Sequence, residues 1–374
     1  MSAFRISVYD KDRAFVCPIG NPSSLTATIR HNDVSTLTMS LPLGHSRMGA
    51  LAADGARLKV SFRGEHLISG PITADALETN GAKGIYTVSV EDDFRVLKEI
   101  AGFPVPGSAI SAQNTAEYRT YTGNAETILK TAVTENGVTR LGVPGLTVAT
   151  NLNRGLTVPG GVPLRMHPLF DQLFPALTDA GLGVTVRQVG ATLVLDVYEP
   201  QTHSHALSVM GNTLKQVTMT RTRPTASRVI IGGQGEGTAR KFLTLTDAAR
   251  ETQYGMKAET FRDARDDNTD AVMYARGQET LTDKGPQNGL AITLAGSGIF
   301  RYGPGGFHVG DRVPIKVTDT ITIPEVIRET TLEWKSKDYA LASPVLGELT
   351  NLPERKTANL FRALAKGQRD QERR

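Results

Sequence analysis

ARLKVSFRGEHLISGPI, residues 56–72, contains two strand-like stretches, the alternating ARLKVS (56–61) and the apolar LISGPI (67–72), which flank Arg63, Gly64 and Glu65. Alternation with a period of two predicts strands with one buried face, and the short glycine-containing connection predicts a tight hairpin. Residues 25–30, 35–41 and 85–91 have similar strand patterns. The first hundred residues therefore predict a small β-barrel or sandwich built from neighbouring hairpins.

The region that follows has a different pattern and predicts an α+β insert. Asn124 precedes AETILKTAV, which predicts a capped helix with one apolar face. Residues 167–180 predict a second helix, kinked at Pro175. Residues 184–198 predict a hairpin.

Strand patterns return after the insert, interrupted by one helical pattern. The predicted strands cover residues 208–222, 228–231, 291–294, 313–317 and 326–334. The order predicts five segments: a first β-barrel at 1–105, the α+β insert at 106–208, strands connecting and completing the first barrel at 209–245, a second β-barrel at 246–347 with a helix at 270–283, and a basic C-terminal tail at 348–374.

Composition places the chain among ordinary globular proteins. Its 374 residues are 39% hydrophobic and 21% charged, which is enough apolar material for more than one core. The single cysteine, Cys17, excludes internal disulfides and fits assembly in a reducing cytoplasm. The sequence has neither an apolar run of membrane-spanning length nor the apolar segment of a secretory signal at its N-terminus, so we expect no stable membrane insertion.

The positive charge of the chain is concentrated near its C-terminus. The net charge is +4, and residues 352–374 contain seven basic and three acidic residues, so the rest of the chain is balanced. Leu360, Phe361 and Leu364 form a narrow apolar stripe among these basic residues. They are our candidate partner-docking residues. A partly ordered tail is the alternative interpretation.

Two motifs invite a ligand-binding interpretation. GGQGEG at residues 232–237 follows a predicted strand, but its G-x-G-x-G spacing and the strand-like FLTLT after it favour a bulge or a backbone crossing over a phosphate site. His203 and His205 would share one face of a strand, as a metal site requires. The only close carboxylate is Glu199, so a polar linker is the favoured interpretation. We predict no cofactor and no metal.

No enzyme signature is found in the sequence. Cys17 has apolar neighbours and a proline beside it, which is typical of a buried packing cysteine. The acidic run Glu91, Asp92 and Asp93 precedes a predicted helix at residues 94–100 and is expected to cap it rather than to act as catalytic carboxylates. Hydrolase and P-loop motifs are absent from the sequence.

Five segments together resemble the tail-hub family of long-tailed phages, also called the baseplate hub or tail-tip hub family, and specifically its siphophage type. They also resemble the hub part of tail-associated lysins. They are ARLKVSFRGEHLISGPI (56–72), EDDFRVLKEIAGFPVP (91–106), TRPTASRVIIGGQGEGTAR (222–240), YGPGGFHVGDRVPIKV (302–317), and VIRETTLEW with the later ASPVLG (326–347).

The resemblance implies a mainly β fold with two similar β-barrels and an α+β insert. It implies a homotrimer, whose three chains give a pseudo-sixfold ring of barrels at the tail tip of the virion. The implied partners are the distal tail protein ring, the tape measure protein and distal spike or fibre proteins, with phage DNA passing only in transit through the lumen.

Two other functions compete with this one. A tail-associated cell-wall hydrolase would need an acid–base or metal cluster, which the sequence lacks. A host carbohydrate-binding tail protein would need exposed aromatic residues, whereas the one Trp, nine Tyr and twelve Phe mostly occupy core-like positions. Many relatives continue into a peptidoglycan-cleaving or fibre domain, and the early end of this chain leads us to expect no attached lysin.

Overall fold

Strands predominate in the computed structural model, which describes residues 3–81, 83–158, 160–211, 213–265, 269–294, 301–316, 322–336 and 339–346. The predicted mainly β fold is confirmed. The chain divides into two units, one built from Met1–Val217 with Ile292–Leu346 and the other from Thr218–Ala291. In the described ranges, no helix has the length and apolar character needed to cross a membrane.

The first hundred residues form the predicted hairpins. Their elements are β1 (Phe4–Tyr9), β2 (Phe15–Ile19), β3 (Ser24–Arg30), β4 (Thr36–Pro42), α1 (Met48–Leu51), β5 (Arg57–Phe62), β6 (Glu65–Asn80), β7 (Lys83–Glu91), α2 (Val96–Glu99) and β8 (Ala101–Gly102). The hairpin predicted from residues 56–72 is confirmed as β5 and β6, which pair antiparallel. Arg63 and Gly64 between them both have positive φ, as a type I′ hairpin turn requires.

The insert contains the predicted helices and hairpin. Its elements are β9 (Arg119–Tyr121), α3 (Ala125–Val133), a π-helical segment (Thr134–Leu141), β10 (Leu146–Val148), β11 (Val162–Leu164), β12 (His167–Pro168), α4 (Leu169–Asp179), β13 (Gly183–Val189) and β14 (Thr192–Tyr198). The predicted cap is confirmed, since Asn124 Oδ1 accepts a hydrogen bond from the Thr127 amide at 2.9 Å. The second helix starts at Leu169 rather than His167, because His167 and Pro168 pair with β8.

The remaining elements are β15 (Leu207–Ser208), β16 (Leu214–Thr222), β17 (Arg228–Gly232), β18 (Phe242–Thr246), α5 (Ala248–Tyr254), β19 (Glu259–Asp263), α6 (Asp270–Asp283), β20 (Gln287–Leu294), β21 (Arg312–Lys316), β22 (Thr322–Ser336) and β23 (Tyr339–Leu346). In the second unit, β17 lies between β18 and β19 in a three-stranded sheet. Val229, Ile231 and Met273 belong to its buried core, so α6 packs on one face of that sheet.

The first unit is organised by one long path of paired strands. Its order is β15-β21-β22-β3-β4-β7-β6-β5-β1-β2, with β23 also paired to β22. The pairing of β22 with β3 brings Glu329 beside Arg30, across 299 residues of sequence. Among the described residues this path is open at β15 and β2 and closes no barrel, so the two similar β-barrels stay a prediction.

Several strand pairings join residues from different predicted segments, and the division into segments stays a prediction. Strands β21 to β23, expected in a second barrel at 246–347, join β3 of the first segment. Strand β17, expected to complete the first barrel from within 209–245, pairs with β18 and β19 in the second unit. The reason is physical: sequence order shows which residues form strands, but a pairing between strands hundreds of residues apart has no local signal.

Gly70, in the S-G-P motif of β6, lies where two backbone segments meet closely. A Cβ atom built on Gly70 would be 1.9 Å from the Glu91 carbonyl oxygen and 2.9 Å from the Asp92 Cα. Both neighbours are backbone atoms at the end of β7, so they cannot move aside without disturbing the strand. The position therefore requires glycine for its size.

We expect Gly70→Ala to lower the free energy of unfolding by about 2–3 kcal/mol, because the added methyl group overpacks this contact. Gly107→Ala is the matched control, since nothing lies within 4 Å of a Cβ at Gly107. Urea unfolding followed by circular dichroism measures both. Equal midpoints for the two variants would contradict the close approach at Gly70.

Candidate functional site

Two of the sequence motifs converge on one buried ion pair. Arg57, which begins β5, pairs through its guanidinium with the carboxylate of Asp93, and the two side chains are only 10% and 3% exposed. Ser69 of β6 donates its hydroxyl hydrogen bond to Asp93 Oδ2 at 2.7 Å. The motif ARLKVS…LISGP thus supplies the cation Arg57 and the hydrogen-bond donor Ser69. The motif EDDF supplies Asp93, the anion with which both interact.

The same cluster connects the large sheet to the insert. The Gln188 amide in β13 donates to Ser69 Oγ at 3.0 Å, and Lys59 Nζ donates to the Gln188 carbonyl at 3.0 Å. Arg57 Nε also approaches Gln188 Oε1 at 3.4 Å. We call Arg57, Ser69, Asp93 and Gln188 the polar junction. Its members come from β5, β6, β13 and the turn after β7, so it fixes the insert against the sheet.

A second cation contributes to this connection from the loop between β1 and β2. Arg13 donates from Nε to the Ala191 carbonyl at 3.0 Å and from its terminal nitrogen to the Pro144 carbonyl. Both acceptors belong to the insert, one in the β13–β14 turn and one just before β10. Because a guanidinium offers five fixed donors, one side chain can hold two separate backbone segments.

The acidic run at residues 91–93 does not cap the following helix. Asp92 stands at the N-cap position without a side-chain capping hydrogen bond, and residues 93–95 form a single 3-10 turn before α2. The prediction was wrong because Asp93 turns inward to Arg57 and Ser69. Burial raises the pKa of Asp93, and the adjacent Arg57 counteracts part of that rise.

Burial also shifts the pKa values of two neighbouring groups that line a cavity of about 320 Å³. It raises the pKa of Asp92 to about 7 and lowers the pKa of His66 to about 4. Asp92 Oδ1 and His66 Nδ1 are buried without a hydrogen-bond partner among the described residues. The shifts are opposite because removal from water disfavours the charged form of either group.

His203, one of the two histidines considered as metal ligands, lies in a second polar cluster. Its Nε2 is 2.9 Å from Asp311 Oδ2, while the amides of Gln201 and His308 donate to the two Asp311 carboxylate oxygens at 3.0 and 2.9 Å. His205 contacts the Ser204 hydroxyl instead. Within the described ranges, no group of three or more His, Cys, Asp and Glu side chains is placed to hold a metal ion.

The remaining sequence candidates have ordinary structural positions. The GGQGEG segment is the loop of the β17–β18 hairpin, closed by the Gly233 amide donating to the Lys241 carbonyl at 2.8 Å, and the predicted strand FLTLT is confirmed as β18. Cys17 is a buried free thiol, as predicted. Leu360, Phe361 and Leu364 lie outside the described residues.

Known proteins match the chain at the level of family and fold. A model of the family described as Siphovirus ReqiPepy6 Gp37-like protein matches residues 5–348. The chain belongs to this family. The resemblance to a siphophage protein family drawn from the five segments is therefore confirmed. No curated protein matches the chain by sequence.

Solved tail proteins share the fold of this Gp37-like chain over nearly their whole length. The 43 kDa tail protein of prophage MuSo2 from Shewanella oneidensis has a TM-score of 0.56 at 13% identity, covering 92% of this chain and 97% of its own. Prophage tail protein gp18 from Listeria monocytogenes EGD-e has a TM-score of 0.56 at 11% sequence identity. The match covers 96% of this chain and 99% of that protein. The tail protein from Neisseria meningitidis MC58 has a TM-score of 0.52 at 13% sequence identity. The match covers 93% of this chain and 97% of that protein.

We expect Arg57→Met to lower the free energy of unfolding of the Gp37-like chain by about 3–5 kcal/mol, because it leaves Asp93 buried without its counter-charge. The double variant Arg57→Met/Asp93→Leu should recover most of this loss, since no unpaired charge remains. Chemical denaturation measures both variants.

Glu99→Gln is the control for this experiment. It removes a more exposed ion pair with Arg95, so a change below about 1 kcal/mol is expected. A double variant as unstable as Arg57→Met alone would show that the destabilisation does not come from the unpaired charge.

Proposed function

We propose that this chain is the central hub of a phage tail tip or baseplate, working as a homotrimer. In this role it adapts the sixfold tail tube to threefold distal components and surrounds the channel through which DNA passes. Its neighbours would be the distal tail protein ring, the tape measure protein and the distal spike or fibre proteins. Assembly would take place in the host cytoplasm, and the mature position would be the tail tip.

One observation carries the proposal: the family match spans residues 5–348, and the fold agrees with prophage tail proteins over 97–99% of their length. An enzyme that had merely acquired a tail-binding domain would match such proteins over only part of its chain. The whole described fold instead corresponds to tail architecture, which supports a role in assembly.

The polar junction supports this role physically. A hub transmits force between the tube and the distal components, so its parts should not shift against one another. Interlocked hydrogen bonds among Arg57, Ser69, Asp93 and Gln188 join the sheet and the insert of the first unit. Such a buried network, when its members are satisfied, favours one arrangement over alternatives.

Symmetry gives the second physical argument. A trimer whose chains each carry two similar β-modules presents six related surfaces to the tube and three to the distal side. The predicted pair of barrels would supply these modules. The balanced charge of residues 1–351 permits close packing of subunits without strong mutual repulsion.

The copy number in the particle tests the hub role. We expect a cryo-electron microscopy map of isolated tails to contain three copies of this chain around the tail axis, directly below the last sixfold ring. The three copies should surround a central channel. Six copies, or a position along the tube shaft, would contradict the proposal.

We further propose that the tail of residues 352–374 attaches the hub to the next tail component through Leu360, Phe361 and Leu364. The test uses cells that produce a variant of this chain and are infected by a phage that lacks its gene. In these cells, replacing the three residues by alanine should lower the yield of infectious particles about as much as deleting residues 352–374. Thr357→Ala/Asn359→Ala, in the same segment, is the control and should assemble normally. Full assembly by the deleted chain would remove the anchor role and leave the hub role intact.

A further inference from the structure

Strand β6 has a free edge along half of its length. Its pairing with β5 ends where Arg57 opposes Pro71, whereas its pairing with β7 continues to Asn80. Residues 73–80 are exposed on both faces of the strand. No strand of the described chain pairs with their other edge. We call residues 73–80 the β6 edge.

The β6 edge combines negative charge with apolar side chains. It contains Asp75 and Glu78 and no basic residue. Leu77 is 52% exposed, and Ile85, which opposes Glu78 on β7 and lies on the other face from Leu77, is 49% exposed. An unpaired strand edge with exposed aliphatic side chains is a surface that associates readily with another chain.

A cleft with the opposite charge lies beside β1 and β2. It has a volume of about 760 Å³, and its lining includes Phe4, Ile19, Trp334, Arg5 and Arg63 but no acidic residue. Among the described residues, no carboxylate pairs with either arginine. Aromatic residues and arginines in one depression are the composition typical of the residues that dominate binding energy at protein interfaces. We call this depression the basic cleft.

The two surfaces cannot meet within one chain. The basic cleft includes Arg63 and Gly64, in the turn where β6 begins, and the β6 edge lies at the far end of the same strand. Twelve residues separate Glu65 from Leu77, which corresponds to roughly 40 Å of extended strand. The β6 edge of one chain can therefore reach the basic cleft of another copy but not its own.

We propose that the β6 edge of one copy docks in the basic cleft of the next copy. Leu77 then packs against the apolar wall near Trp334, and Glu78 pairs with Arg63. A contact between two different surfaces is heterologous, and it closes a ring of three when each copy is rotated by a third of a turn from the last. This inference rests on the trimer of the proposed function and names the surfaces that would build it.

A charge-swap experiment on the full-length chain tests the docking. Sedimentation equilibrium gives the self-association constant of the purified protein. We expect Arg63→Glu and Glu78→Lys each to weaken association about tenfold or more, because each places like charges opposite one another. Combining both substitutions should restore association, since the pair is then present with reversed signs. Unchanged circular dichroism and melting temperature would show that the variants are folded.

Arg47→Glu and Asp54→Lys are the matched controls, because they make the same charge changes at exposed positions outside both surfaces. If the single variants associate like the natural chain, or if the double variant is no better than the single ones, the docking is refuted while the trimer stands. If the natural chain remains a monomer at every concentration, both the docking and the self-assembled ring are refuted.

Discussion

The buried pairing of Arg57 with Asp93 is the interaction on which the organisation of the first unit depends. A charge removed from water must find an opposite charge and hydrogen-bond donors, so each partner restricts where the other can lie. The Asp93 carboxylate accepts hydrogen bonds from Arg57 and Ser69 of the sheet. The Ser69 hydroxyl oxygen in turn accepts a hydrogen bond from the backbone amide of Gln188 in the insert. Because these contacts are directional and their members are buried, they favour one arrangement of the insert on the sheet.

Features with short-range causes were predictable from the sequence. The β5–β6 hairpin follows from alternation around Arg63 and Gly64, and the start of α3 follows from the side chain of Asn124. The spacing of the glycine-rich segment favours a bulge or a backbone crossing over a phosphate site, and the structure shows the loop of the β17–β18 hairpin there. In each case the deciding interaction lies within a few residues of the signal.

Features with long-range causes were not predictable in the same way. The acidic run looked like a helix cap because the nearest helix was the only partner visible in the sequence, yet Asp93 binds Arg57, 36 residues earlier. Likewise, the only carboxylate close to His203 in the sequence is Glu199, whereas its partner in the structure, Asp311, lies 108 residues away. The sequence marked these side chains as unusual, and only the fold supplied their partners.

The pairing of β3 with β22 has a consequence for the timing of synthesis. Arg30 leaves the ribosome long before Glu329, its neighbour in the finished sheet. At a translation rate of about 5–20 residues per second, roughly 15–60 seconds pass between them. During that interval β3 has a neighbour on one side only, while residues 218–291, which belong to the second unit, have already been synthesised. The unfinished sheet of one nascent chain must therefore be kept from pairing with the unfinished sheets of nascent chains on neighbouring ribosomes of the same messenger RNA.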